Sequence, residues 1–356
     1  MKVCILGSGL TSLSLAKNLV NKGISVDIFS HRNNFKKDIN RTLGISKVNL
    51  DFFNNEILNI EELIWNINKI EIFSESLEGE QILNFENNNN TLFAMVKNDE
   101  LISFLLKELK KEKLCKFRKS QIQINYLKKN YNLIFNCDHS NAITKKFFFK
   151  QIKKNYNSNA YISIIEHSKI ENNKAVQIFT KRGPLAFLPI SATKTSVVYS
   201  VKGLEKINFK DVIEKYNTNY KIKKISEPSK FKLNLSNLRT YYYDNIIAFG
   251  DLLHKIHPLA GQGFNMTLRD IKEVSNLIEL KKTNGLVLDS SICVDFEKKT
   301  KNKNFLFSNS IDLIYEFFNF ENKINNNILS KSVKYFGKNK NINKIFTKIA
   351  DNGFVY

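Results

Sequence analysis

Apolar positions fall in short continuous or alternating runs broken by Gly, Asn and Lys, with longer stretches at helical spacing between them. The chain opens with such a run, Lys2 to Leu6. Gly7-Ser8-Gly9 follows, then a helical pattern ending at Lys22-Gly23, then a second run from Ser25 to Phe29. This order predicts strand, helix, strand. Near the other end, Ile246 to Phe249 predicts a strand that stops at Gly250-Asp251. After a loop, Phe264, Leu268, Ile271, Val274 and Ile278 recur as one helical face, closed by Lys281, Lys282 and Gly285.

Between these ends the pattern is mixed. Ile70 to Ser74 and Thr91 to Val96 are strand-like, and Glu100 to Lys110 predicts an amphipathic helix with Leu101, Phe104, Leu105 and Leu109 on one side. Tyr131 to Phe135 is a further strand. Four runs then follow one another: Ala160 to Ile165, Ala175 to Thr180, Leu185 to Ile190 and Thr195 to Val201. Turn-rich segments at Glu171 to Lys174 and Ser191 to Lys194 separate them, which predicts an antiparallel sheet. Phe209 to Tyr220 reads as a helix, Phe231 to Tyr243 as a strand, and Ile292 to Ala350 as helices.

The two glycine-bearing turns carry candidate chemistry. Gly7 and Gly9, between a strand and a helix, let a pyrophosphate approach the helix start, where free N–H groups and the dipole favour negative charge. Gly261 and Gly263 allow the same approach at the later helix, and Asp251 can accept hydrogen bonds from sugar-like hydroxyls.

The later segment resembles a known family. Gly250-Asp251, His254, His257-Pro258, Gly261-Gln262-Gly263, Asn265 and Leu268-Arg269-Asp270 closely match the second flavin-binding motif of the FAD-dependent aromatic-ring hydroxylases. The wording is most similar to the branch acting on polyprenylated phenols in ubiquinone biosynthesis. The resemblance implies that Asp251 holds the ribityl chain and that Pro258 to Gly263 lies along the isoalloxazine. Gly183 to Pro189 (GPLAFLP) resembles a stretch of the same branch, which implies that Pro184, Leu185, Phe187 and Pro189 line the substrate pocket. Arg41 stands where the family uses an Arg near the flavin phosphates. Trp65 resembles the family's Leu-Trp before the substrate sheet, with packing as its expected role.

Three positions depart from the family pattern. Ser12 replaces the third glycine of the first turn, and Ser30 stands where family members carry a ribose-binding Glu. Asn136-Cys137-Asp138-His139-Ser140 keeps only Asp138 of an Ala-Asp-Gly-x-x-Ser motif. His139 then puts a side chain where φ > 0 would favour glycine, which bears on reduction by NAD(P)H. His254 and His257 are candidates for hydrogen bonding near the flavin or for bracing the loop, and no catalytic base is singled out.

Composition narrows the picture further. With 356 residues and 42% hydrophobic content the chain can build a full core. No apolar run approaches the ~18 residues that span a bilayer, and the start shows no cleavable signal layout, so a cytoplasmic location is expected. The charge of +21 admits nucleic acid or anionic lipid, yet Lys, Asn, Ile and Phe are abundant throughout, including the run Asn87 to Asn90. An AT-rich coding sequence explains that bias, and no nucleic-acid partner is expected. The basic stretch Lys107 to Lys119 mixes Lys and Glu at helical spacing, as on a solvated face. Cys4, Cys115, Cys137 and Cys293 have no metal or pairing spacing and are expected reduced; no metal site is expected.

The expected fold class is α/β: a Rossmann-like FAD-binding domain with an inserted antiparallel β-sheet substrate domain and a helical C-terminal tail. The FAD-binding parts are expected at 1–68, 98–158 and 231–290, the substrate parts at 69–97 and 159–230, and the terminal helices at 291–356. The resemblance implies an FAD-dependent monooxygenase that hydroxylates a polyprenylated phenol with O₂ through a flavin C4a-hydroperoxide. NAD(P)H or a partner reductase would supply electrons, with peripheral membrane contact and quinone-synthesis proteins as partners. The alternatives are a monooxygenase for another aromatic substrate and a catalytically silent scaffold in a quinone-synthesis assembly.

Overall fold

The computed structural model describes residues 1–30, 40–86, 91–119, 123–203, 207–257, 261–324 and 327–337. The run Asn87 to Asn90, Pro258 and the stretch from 338 to Ala350 lie outside the described residues.

Three sheets organise these residues. The first has six strands in the order Tyr242–Tyr243, Ile246–Ala248, Leu133–Asn136, Lys2–Leu6, Ser25–Phe29 and Cys115–Arg118. All neighbours run parallel except the first pair, which is a hairpin. The continuous apolar runs read from the sequence are explained by this placement. Strands of a parallel sheet are covered on both faces, and Val3 to Leu6 are wholly buried beneath the helices Leu10–Asn21, Asn98–Leu109 and Gln262–Thr283.

The second sheet has nine strands. Its order is His254–Lys255, Ser229–Leu238, Gln151–His167, Lys174–Thr180 beyond Lys194–Lys202 and Gly183–Ser191, then Lys69–Ser74 and Glu80–Glu86, with Ile222–Ile225 paired to one end of Gln151–His167. Most pairs are antiparallel, and Lys174–Thr180 meets Lys69–Ser74 in parallel. The third sheet is small: Phe93–Lys97 between Thr42–Ser46 and Ile64–Ile67. The chain is thus an α/β fold with mixed sheets. Among the described residues no helix is long and apolar enough to cross a membrane.

Several elements differ from the pattern reading. The expected boundaries at 158/159 and 230/231 fall inside the strands Gln151–His167 and Ser229–Leu238, which belong whole to the nine-stranded sheet. Phe93–Lys97, expected with the first substrate strands, pairs instead in the three-stranded sheet. The helix expected to reach Tyr220 ends at Tyr216, because the Asn217 side chain accepts from the N–H of Tyr220 at 2.9 Å and closes a turn. The run Phe231 to Tyr243 is split between two sheets. Within the basic stretch Lys107 to Lys119, Cys115–Arg118 is an edge strand, not a helical face, and its charge guards an open edge.

The nine-stranded sheet has two different faces. Tyr161, Ile165, Val176, Leu185, Phe187, Val197 and Tyr199 pack on one side against Phe209 and Ile213 of the helix Phe209–Tyr216. On the other side, one end packs against the three-stranded sheet through Ala175, Leu188 and Ile190, which meet Trp65, Ile67, Phe93 and Met95. The far end packs through Ala160, Phe179 and Leu233 against the helix Ser291–Ile324, where Phe179 stacks on Phe318 at 3.5 Å. That face is therefore roofed at both ends.

Candidate functional site

Segments distant in sequence meet at the carboxyl ends of the central parallel strands. The strand Lys2–Leu6 is followed in the chain by a neighbour on one side, Ser25–Phe29, and is flanked on the other by Leu133–Asn136. This is where the winding of the sheet reverses, the usual place for a ligand in an open α/β sheet. Gly7 lies there with φ +114°, and a Cβ on it would come 3.5 Å from Cys137 and 3.2 Å from the Ser12 hydroxyl. Ser12 thus fills the space under Gly7 that a third glycine would leave empty. Gly250, with φ +64°, sits against the first turn of the same helix, since a Cβ would meet Thr11 at 2.6 Å.

A second junction joins the later helix to the three-stranded sheet. Gly261 adopts φ +64° ahead of Gln262–Thr283 and abuts the backbone of Gly44. Asn265 clamps the contact: its amide donates to the Gly44 carbonyl at 2.9 Å, and its oxygen accepts from the N–H of Ser46 at 3.0 Å and from Asn49 at 3.2 Å. All of this is buried.

The two helix starts share a chemistry. Neither Leu10–Asn21 nor Gln262–Thr283 has a side-chain cap or an acidic residue in its first turn. A Cβ at Gly9 or at Gly263 would meet nothing within 4 Å. The side-chain amide oxygen of buried Gln262 has no hydrogen-bond partner among the described residues. Unclaimed N–H groups, positive dipole ends and glycine openings together suit a pyrophosphate at the first helix and an electron-rich ring at the second. The residues present fit a dinucleotide flavin.

The other candidates are placed as follows. Asp251 is exposed in the short turn Gly250–Leu252. Arg41 is exposed just ahead of the strand Thr42–Ser46, its carbonyl accepting from the N–H of Asn98. The Ser30 hydroxyl lies 2.9 Å from that of Ser8, so the edge of the cradle where family members carry Glu ends in paired hydroxyls. The Asp138 carboxylate accepts from the N–H and the hydroxyl of Ser140 at 2.8 and 2.7 Å. His139 is exposed and is not among the residues with positive φ, so its side chain brings none of the backbone strain expected from replacing glycine. Pro258 lies outside the described residues.

The four expected pocket residues divide between the two faces of the strand. Leu185 and Phe187 pack under the helix Phe209–Tyr216, and Pro189 shares their parity. Alternation along the strand leaves Pro184, Ala186 and Leu188 on the face turned towards the three-stranded sheet. The period of two decides which residues of this strand look at the three-stranded sheet.

His254 and His257 are both buried, and they differ in partners. His254 Nε2 meets Asp270 Oδ2 at 2.5 Å. His257 has no hydrogen bond to either ring nitrogen among the described residues; it stacks on Tyr315 at 4.2 Å and lies edge-on to Tyr156 at 5.2 Å. Burial pushes its pKa down to about 3, against a smaller upward pull from Asp312. His257 is therefore neutral at pH 7, with one ring nitrogen bearing N–H and the other a free lone pair. Because the folded pKa is depressed, the stability this neutral ring allows is present above the unfolded value near 6.5 and is lost as pH falls below it. Stability should drop by about 2 kcal/mol between pH 7 and pH 5 on account of this one residue. Urea unfolding of wild type and His257→Phe at the two pH values checks this: the variant should lose that part of the slope.

Sequence reasoning passed over Thr11 and Gly44, which meet Gly250 and Gly261. Gly44 lies inside the strand Thr42–Ser46, where a glycine allows close backbone approach, but no strand was legible there in the sequence. Asp27 was also missed. Burial raises its carboxyl pKa, but hydrogen bonds from Tyr131 and Lys2, with the charges of Lys2 and Arg118, outweigh this and hold it below the usual range. The four cysteines are free, and burial raises the Cys137 and Cys293 thiols to about 12.

No family model matches the chain. Among curated proteins it is similar to the mitochondrial ubiquinone biosynthesis monooxygenase COQ6 of Xenopus tropicalis, 23% identical over 226 residues, 51% of this chain and 49% of that protein. The human COQ6 is 24% identical over 221 residues, 49% of this chain and 47% of that protein. The ubiquinone hydroxylase UbiL of Rhodospirillum rubrum is 26% identical over 141 residues, 37% of this chain and 33% of that protein. The chain thus spans about half the length of the first two of these relatives, or less, in the matched region. Among solved structures, p-nitrophenol 4-monooxygenase PnpA of Pseudomonas putida superposes with a TM-score of 0.78 at 10% identity, covering 99% of this chain and 98% of that one. Klebsiella pneumoniae HpxO complexed with FAD and uric acid gives 0.75 at 12% identity, covering 99% and 96%. The fold is shared over nearly the whole chain.

Proposed function

We propose, from its place among the FAD-dependent aromatic-ring hydroxylases in sequence and fold, that the chain is an FAD-dependent monooxygenase acting on the ring of a polyprenylated phenol in ubiquinone biosynthesis. One observation carries the reading: two helix starts without caps or acids, opened by Gly9 and Gly263, at the point where the parallel sheet reverses its winding.

The protein's own part follows from that arrangement. The N–H groups after Gly9 would hold the pyrophosphate, Asp251 the ribityl hydroxyls, and the helix start at Gly261 to Asn265 the electron-rich ring. FAD, when bound, supplies oxygen activation and transfer to the substrate ring, with electrons from NAD(P)H or a partner reductase. Asn265 fixes the Gly44 strand to the helix start, so that the two sides of the site move as one. Neutral His257 and the apolar cluster around it keep that neighbourhood free of an uncompensated charge. Contact with a membrane surface and with quinone-synthesis proteins is part of the same proposal.

The visible absorbance of the purified protein tests it. A yellow protein that releases about one FAD per chain is expected; a colourless protein that fails to take up added FAD overturns the reading. A second reading, a silent scaffold in a quinone-synthesis assembly, is favoured by the Ser30 hydroxyl pairing and by the Asp138 carboxylate being engaged by Ser140. Retained FAD that no nicotinamide or partner reductase reduces would support it.

A further inference from the structure

The face of the nine-stranded sheet between its two roofs is an open row. Ile162 pairs with Val198, Val198 with Ala186, Ala186 with Gln177 and Gln177 with Ile72, so these side chains line up across five strands on one face. All five are half-buried, whereas Ala160, Ser200, Pro184 and Phe179, one row nearer the C-terminal helix, are buried. The row is the floor of a trough. One wall is the three-stranded sheet, which holds Gly44 against Gly261; the other is the helix Ser291–Ile324, whose cluster includes Ile256 and Met266 on either side of the same loop. The trough therefore runs past the junction assigned to the flavin.

Its chemistry is narrow. Four of the floor residues are aliphatic, and the side chain of the fifth, Gln177, makes no hydrogen bond among the described residues. In a chain with 55 Lys and Arg, no cation stands on this floor. A carboxylate placed there would lose its hydration and find no counter-charge among the five floor residues, which costs far more than placing a neutral oxygen within reach of an amide.

We infer that Gln177 is a specificity-determining residue: it hydrogen-bonds a neutral oxygen substituent of an uncharged aromatic substrate, and the floor around it excludes carboxylated rings. This rests on the proposed function and sharpens it, since it separates neutral phenols from the acidic aromatic substrates that the same fold could serve. An amide both donates and accepts, so it can hold a phenol or a methoxy oxygen alike.

Methyl 4-hydroxybenzoate and 4-hydroxybenzoate are suitable probes, having the same ring and differing by one charge. Equilibrium dialysis on the full chain, with folding checked by thermal unfolding, should show the ester binding at least about tenfold tighter than the acid. Gln177→Leu should weaken the ester by about five- to tenfold. Gln177→Arg should turn the preference towards the acid, and Gln177→Met, close in volume, repeats the Leu test should that variant unfold. Equal binding of acid and ester by wild type, or variants whose dissociation constants all stay within about twofold of wild type, would overturn the assignment. Dialysis does not depend on bound flavin. A protein without FAD that still prefers the ester would count against the proposed function while leaving the Gln177 assignment standing.

Discussion

Gly9→Asp is expected to leave the protein at least as stable as wild type and to abolish its hold on FAD. Gly9 caps the helix Leu10–Asn21 with φ −74° and ψ 178°, a conformation any residue adopts, and a Cβ there meets nothing within 4 Å. Asp is among the best N-cap residues. Its carboxylate would accept from the unclaimed N–H groups of the first turn and stabilise the helix by a few tenths of a kcal/mol relative to Gly. Those same N–H groups are what a pyrophosphate needs, and the new charge would repel it. FAD affinity should fall by about 100-fold or more, equivalent to ~2.8 kcal/mol. Titration of apoprotein with FAD, followed by flavin fluorescence, reads the affinity, and thermal unfolding without FAD reads the fold.

The neighbouring glycine provides the contrast. Gly7→Ala places a Cβ at φ +114° and 3.2 Å from the Ser12 hydroxyl, so it should weaken the fold itself, by about 1–3 kcal/mol of backbone strain. If Gly9→Asp kept wild-type FAD affinity, the pyrophosphate could not lie at this helix start.

The difference between these two glycines was not legible in the sequence, although both were singled out. A Gly-x-Gly turn announces close approach but not which glycine faces the protein and which the ligand. That depends on Cys137, brought beside Gly7 by a strand far along the chain, and on the Ser12 hydroxyl beneath it, while Gly9 faces open space. The strands Lys2–Leu6 and Ser25–Phe29 and the long helix after Gly261 were readable because burial on both faces, or on one helical face, leaves a strong apolar pattern. The strands Thr42–Ser46, Glu80–Glu86 and Cys115–Arg118 were not, because glycine, Asn and Lys on exposed or edge positions erase the alternation. Which side of Gly183–Ser191 meets the helix and which the three-stranded sheet was hidden for a subtler reason: both faces of that strand are apolar, so composition does not separate them.

Asp270→Ala should be the most destabilising single change around the later helix. Asp270 is 1% exposed, and each of its oxygens has a separate partner. Oδ2 takes His254 Nε2, from the short strand paired with Asn237, while Oδ1 accepts from the Asn304 amide at 2.8 Å, from the C-terminal helix. One carboxylate thus ties the helix that starts after Gly261 to the nine-stranded sheet and to the tail. Removing it leaves a buried imidazole and a buried amide unsatisfied, a loss of about 3–5 kcal/mol. Asp270→Asn keeps an oxygen for Asn304 and offers an amide to the ring of His254, so it should cost only about 1–2 kcal/mol. Urea unfolding at pH 7 of both variants separates geometry from charge. A small loss for Asn with a large one for Ala means the ties matter as hydrogen bonds, whereas equal large losses mean that the carboxylate's charge is what His254 requires. A loss below about 1 kcal/mol for Ala would show that the three elements are held by their apolar contacts alone.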